Sequence, residues 1–166
     1  MSKVLILLGS DSDLTIAEKG LDFLKKAKIP FELKISSAHR SPNLVEENIS
    51  NFDRDGGSVI ICVAGMSAHL AGVVAGLTVK PVIAVPVARS ETAGLDSLLS
   101  VSQMPGGIPV ATMGLGKSGF TNACILATEI IGVSDVAIVE FLKLERKRMV
   151  EVIKETNSRC SIEYKG

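Results

Sequence analysis

The chain has 166 residues, a length suited to one domain that buries a substantial core. Lysine plus arginine and aspartate plus glutamate number 18 each, so no net field draws the protein to nucleic acid or to an anionic membrane. Hydrophobic residues make up 46% and charged residues only 22%, which leaves little polar surface and predicts subunit contacts in addition to the core.

In chain order, Lys3 to Leu8 is a short apolar run closed by Gly9-Ser10-Asp11-Ser12-Asp13, which reads as a strand and its loop. This run is too short for the core of a signal peptide. Asp13 is placed to cap a helix whose apolar residues Leu14, Ala17, Leu21, Leu24 and Ala27 keep helical spacing. Ile29-Pro30 breaks that helix. A second strand, Phe31 to Ile35, leads to the loop Ser37-Ala38-His39-Arg40-Ser41-Pro42, with Ser41 as N-cap and Pro42 opening a helix to about Asp53. From Gly56 to Val79 no residue carries a formal charge, long enough to span a bilayer. Gly65, Ser67 and His69 interrupt the run, and Val59 to Val63 is β-branched. It therefore reads as a buried strand, a loop from Ala64 to Ala68, and a helix from about His69 to Leu77. That helix carries Ala71, Gly72, Ala75 and Gly76, which suggest close approach of another backbone at a subunit interface.

Val82 to Val85 is the fourth strand, stopped by Pro86, and a short helix spans about Asp96 to Ser102. Pro109 to Thr112 is the fifth strand. Gly114, Gly116 and Gly119 punctuate a loop before a helix from Asn122 to Ile131. Ser134-Asp135 caps a long final helix to about Thr156. Its Ile138, Phe141, Leu142, Met149, Val152 and Ile153, with Tyr164 beyond, exceed what one sheet can cover and point to a neighbouring subunit. Alternating strands and helices with short connections predict one α/β domain over residues 1–166. It is a three-layer α/β/α arrangement with a parallel five-stranded sheet, and residues 134–166 form a C-terminal helix and tail. Three cysteines without a CxxC pair argue against disulfides and zinc, and so for a reducing cytoplasm.

Ligands of open α/β sheets bind beyond the carboxyl ends of the strands. The loops 9–13, 37–41 and 64–68 would bring Ser10, Asp13, His39, Arg40, Ser67 and His69 to one crevice. His39 can exchange a proton near neutral pH, and Arg40 offers a planar cationic fork for carboxylate or phosphate. The loop after the first strand can also present backbone N–H groups and hydroxyls to an anion. It matches neither dinucleotide-binding nor Walker patterns, and a capped loop explains it equally well. Paired acids there resemble receiver domains, but those need an aspartate where Ala64-Gly65 stands. Gly65-Met66-Ser67-Ala68-His69 resembles a nucleophile elbow, yet no histidine follows His69 to serve as base. Ser67 reads as a hydrogen-bonding or capping residue. Lys117 and Asn122 are candidates for a neighbouring rim, with solvated surface the plainer reading of Lys117. A non-catalytic nucleotide- or flavin-binding module is the rival from another class. One tyrosine and no tryptophan leave a flavin without an aromatic sandwich.

GSDSD, SAHRSP, AGMSAHLAG and GLDSLLSVSQMPGGIPVATMGLGKSGFTNA, in this order, resemble the 5-(carboxyamino)imidazole ribonucleotide mutase family of purine biosynthesis over about residues 3–131. The resemblance implies a flavodoxin-like fold and a cytoplasmic homo-octamer with sites built from more than one subunit. It also implies a reaction without metal, ATP or other cofactor. Carried over by position, it implies that Ser10, Asp13 and Arg40 bind the ribonucleotide and that His39 transfers the proton. Ser37, Ala64, Gly65, Ser67, Ala68 and His69 would line a carboxylate pocket. Met66, Ser67 and Ala71 depart from the bacterial mutases, and Met66 leaves open the sister activity, carboxylation of aminoimidazole ribonucleotide by free carbon dioxide.

Overall fold

All five expected strands are present in the computed structural model, whose described residues are 2–160 and 162. They are β1 (Val4–Leu8), β2 (Phe31–Ile35), β3 (Val59–Gly65), β4 (Val82–Val87) and β5 (Ala111–Thr112). All pair in parallel, in the order β2-β1-β3-β4-β5. The helices are α1 (Glu18–Lys26), α2 (Pro42–Arg54), α3 (Leu70–Leu77), α4 (Leu95–Ser102), α5 (Gly116–Gly132) and α6 (Val136–Cys160).

The two-residue period of the strands divides their side chains between two cores. Val4, Ile6 and Leu8 join Ile61, Val63, Ile83 and Val85 against Leu24 of α1 and Phe120, Ala123 and Ala127 of α5. Leu5 and Leu7 face the other way, with Ile60 and Cys62, against Val45, Ile49 and Phe52 of α2, Leu70 and Val74 of α3, and Val101 of α4. Each such aliphatic side chain contributes about 1.5–3 kcal/mol when fully buried. Burial on both faces explains why β1 and β3 read as continuous apolar runs. The uncharged stretch from Gly56 to Val79 is accordingly β3, its loop and α3. Among the described residues no helix is long and apolar enough to cross a membrane. Cys62 and Cys124 are buried, whereas Cys160 is exposed at the end of α6.

Several local expectations are corrected. The chain after β1 does not enter an α-helix at Asp13. It forms a 3₁₀ turn over Asp11–Ile16 whose cap is Ser10, and α1 starts only at Glu18. Asp13 instead turns inward and is buried. Ser41 holds the cap position of α2 but makes no capping bond, because its hydroxyl donates to the Ser37 carbonyl and accepts from the Ser37 N–H. Pro86 does not stop β4, which runs on to Val87. β5 pairs only with Ile83 and Ala84, so at Pro86 the strand has lost that neighbour and a missing N–H is tolerated. Helix α5 begins at Gly116 rather than Asn122. A Cβ on Gly119 would stand 1.6 Å from the Gly114 carbonyl oxygen, so this glycine lets the helix start pack on its own loop.

In α3, Ala71 and Val74 enter the core, and Gly72 faces Met104 of the same chain. Asp135 caps α6 as expected, accepting from the N–H groups of Ala137 and Ile138. The first turns of α6 dock through Ile138 on the α1/α5 core, and Phe141 meets Phe23 edge to face. Beyond them Leu144, Val150, Val152 and Ile153 are more than half exposed. The tail with Tyr164 lies outside the described residues.

Candidate active site

The chain runs from β1 outward to β2, then returns past β1 to β3 and continues to β5. The direction of winding reverses between β1 and β3, which opens a crevice at their carboxyl ends. A cleft of about 560 Å³ lies there, within the range usual for small-molecule sites. All ten residues singled out from sequence line it: Ser10, Asp13, Ser37, His39, Arg40, Ala64, Gly65, Ser67, Ala68 and His69.

The loop after β2 is a self-bonded turn. Ser41 N–H and Oγ both donate to the Ser37 carbonyl, and the Arg40 N–H donates to Ser37 Oγ at 3.2 Å. Below it, Asn48 of α2 donates to the buried Ser36 hydroxyl at 2.9 Å, tying helix and loop together. This turn lifts His39 toward the loop after β3. His39 Nε2 lies 2.7 Å from His69 Nδ1, and the rings stand nearly perpendicular at 83°. One of the two nitrogens carries the shared proton and the other accepts it. Arg40 reaches the opposite way and donates to the Gly9 carbonyl at 3.0 Å.

The loop after β3 is tight, with the Ala68 N–H donating to the Met66 carbonyl at 2.8 Å. Met66 takes φ +56°, a left-handed conformation that costs a non-glycine residue about 1–2 kcal/mol. Met66 is 59% exposed and lines the cleft. Small residues at Ala64, Gly65 and Ala68 keep the floor of the cleft close to backbone.

One principal member of the site was missed from sequence. Arg89 stands two residues beyond β4 and lines the same cleft. Its Nε and Nη2 donate to Asp13 Oδ1 at 3.3 and 3.1 Å, and Nη2 also donates to the Ser12 carbonyl at 2.6 Å. Burial pushes the Asp13 carboxyl above the ordinary aspartate value, while the Arg89 hydrogen bond and charge pull it back down. The signal for Arg89 was its place at a fourth strand end, hidden because Pro86 read as a stop. Lys117 lines a smaller neighbouring cleft with Arg89, and Asn122 lines neither. Among the described residues no three His, Cys, Asp or Glu side chains are grouped as metal ligands.

The family model described as AIR carboxylase matches residues 3–152. The N5-carboxyaminoimidazole ribonucleotide mutase of Methanocaldococcus jannaschii is 46% identical over 162 residues, covering 98% of this chain and 99% of the relative. That of Thermotoga maritima is 43% identical over 166 residues, covering 99% and 96%. The crystal structure of Treponema denticola PurE is similar with a TM-score of 0.87 at 31% identity, covering 98% of this chain and all of the other. Matched over nearly its whole length in both sequence and fold, the chain belongs to the AIR carboxylase family.

Proposed function

We propose that the protein is an N5-carboxyaminoimidazole ribonucleotide mutase, an isomerase of purine biosynthesis. It moves a carboxylate from the exocyclic nitrogen of the substrate to carbon four of the imidazole ring. The observation that carries this reading is the His39–His69 pair held beside Arg40 in one cleft of a chain from this family. Breaking the N–C bond releases carbon dioxide and leaves its electron pair on nitrogen, which takes a proton from His39. Carbon four of the resulting aminoimidazole then attacks the carbon dioxide, and His39 removes the ring proton from that carbon. One imidazole thus serves as acid and then base, and the atoms balance without an external reagent. Retention of carbon dioxide over Ala64, Gly65 and Ala68 makes its recapture effectively intramolecular. Ser37, Ser67 and His69 supply hydrogen bonds around the carboxylate. Arg40 takes the phosphate, and Ser10 and Asp13 hold the ribose.

The second reading is the sister carboxylase, favoured by the exposed Met66 at the mouth of the cleft. Both are tested by turnover of unlabelled carboxylated substrate in isotopically labelled bicarbonate without ATP or added metal. A mutase gives product almost free of label and acts poorly on the decarboxylated ribonucleotide. Labelled product, with the decarboxylated ribonucleotide as the better substrate, identifies a carboxylase. The proposal includes a cytoplasmic homo-octamer, and the exposed apolar residues along the second half of α6 support the self-association it requires.

A further inference from the structure

Asp13 and Arg89 are 76 positions apart in the chain and meet across the crevice. The Arg89 stem lies over Gly65, where a Cβ would stand 2.8 Å from Arg89 Cγ and 2.9 Å from the Val87 carbonyl oxygen. Its guanidinium head spans the Asp13 carboxylate and the Ser12 carbonyl. At the other end of the same loop, Arg40 holds the Gly9 carbonyl. The segment from Gly9 to Asp13 is therefore fastened at both ends by guanidinium groups from two different strand-end loops. The Asp13 side chain is only 3% exposed, and a carboxylate so withdrawn from water needs a cation to remain charged. Arg89 meets that need from Oδ1 alone, so its hydrogen bonds leave Oδ2 to another donor.

We infer that Arg89 is the positioning residue for Asp13, holding its carboxylate charged and oriented so that it accepts a hydrogen bond from a hydroxyl of the substrate. This rests on the assignment of Asp13 to substrate binding made above. Burial favours the protonated acid, which no longer offers two accepting oxygens, and Asp11 in the same turn repels the charged form. Arg89 opposes both. His39, His69 and Arg40 are the other charged or titratable groups lining the cleft, and Lys117 stands beyond Arg89 in the smaller one.

Arg89→Met, which keeps the stem over Gly65, and Arg89→Lys, which keeps the charge, separate this role from a structural one. Profiles of kcat/KM against pH are measured for both and for the parent protein. Infrared titration of 13C-aspartate, with Asp13→Asn subtracted, follows the Asp13 carboxyl without any turnover. The expected result for Arg89→Met is a rise in KM with a smaller fall in kcat, and a loss of kcat/KM about tenfold greater on the acid limb than on the plateau. The Asp13 carboxyl then protonates at higher pH than in the parent, and Arg89→Lys restores most of both. A profile parallel to that of the parent at every pH, or an unmoved Asp13 titration, overturns the inference. If Arg89→Met does not fold, Arg89→Gln, which also removes the charge, decides: a higher KM with the Asp13 titration displaced to higher pH supports the role, and no change in either refutes it. Failure of the parent to act on the ribonucleotide would sink the functional reading, while the infrared titration would still decide whether Arg89 keeps Asp13 charged.

Discussion

Replacing His39 with asparagine removes the one imidazole assigned to both proton transfers while leaving the turn that carries it intact. The turn is held by Ser37, Ser41 and Asn48, none of which bonds to the His39 ring, so fold and substrate affinity should survive. General acid–base assistance is worth about 10²–10⁴-fold, or ~2.7–5.5 kcal/mol of barrier, and the loss should appear in kcat. The contact with His69 sets the comparison. Its 2.7 Å bond orients the His39 ring, and removing it in His69→Asn forfeits one hydrogen bond, about 0.5–1.5 kcal/mol or roughly 2- to 12-fold. Rapid-mixing absorbance under saturating substrate gives the chemical step, and equilibrium binding of the product gives the affinity. His39→Asn should therefore fall well below His69→Asn in turnover at similar affinity. Near-parental turnover by His39→Asn, with His69→Asn inactive, would refute the reasoning and make His69 the proton carrier.

Four further outcomes are expected. Arg40→Ala should weaken binding of the ribonucleotide far more than that of the corresponding ribonucleoside, and equal losses in paired titrations would remove the phosphate from Arg40. Because burial raises the Asp13 carboxyl in the folded state, the native protein holds that proton more tightly than the unfolded chain. Asp13 therefore lowers stability as pH rises through the interval from the ordinary aspartate value to the raised one. Thermal melts should then show Asp13→Asn gaining on the parent across that interval, and parallel curves would contradict the sign. Gly119→Ala places a methyl group against the Gly114 carbonyl and should cost about 1–3 kcal/mol or more in denaturant unfolding, and an unchanged unfolding midpoint would contradict that clash. Light scattering should report a large homo-oligomer that Val152→Asp with Ile153→Asp weakens, and a monomeric parent would remove the assigned role of α6.

Local chemistry was enough to read most elements, because each is written in short-range terms. The β-branched runs at Val59 and Val82, the proline at position 42, and Asp135 before α6 act within a few residues of themselves. Three polar strand-end loops likewise pointed to six cleft residues before any contact was known, since a parallel sheet gathers such loops at one edge, and the family resemblance added Ser37, Ala64, Gly65 and Ala68. What tertiary structure alone decided involves partners distant in the chain. Asp13 looks like a helix cap until Arg89 arrives from β4 to draw it inward. Pro86 looks like a strand end until the shortness of β5 leaves its missing N–H without a required partner. Gly119 looks like loop punctuation until the Gly114 carbonyl occupies the place of its side chain. In each case propensity fixes what a residue can do alone, and packing chooses among those options by supplying or removing a neighbour.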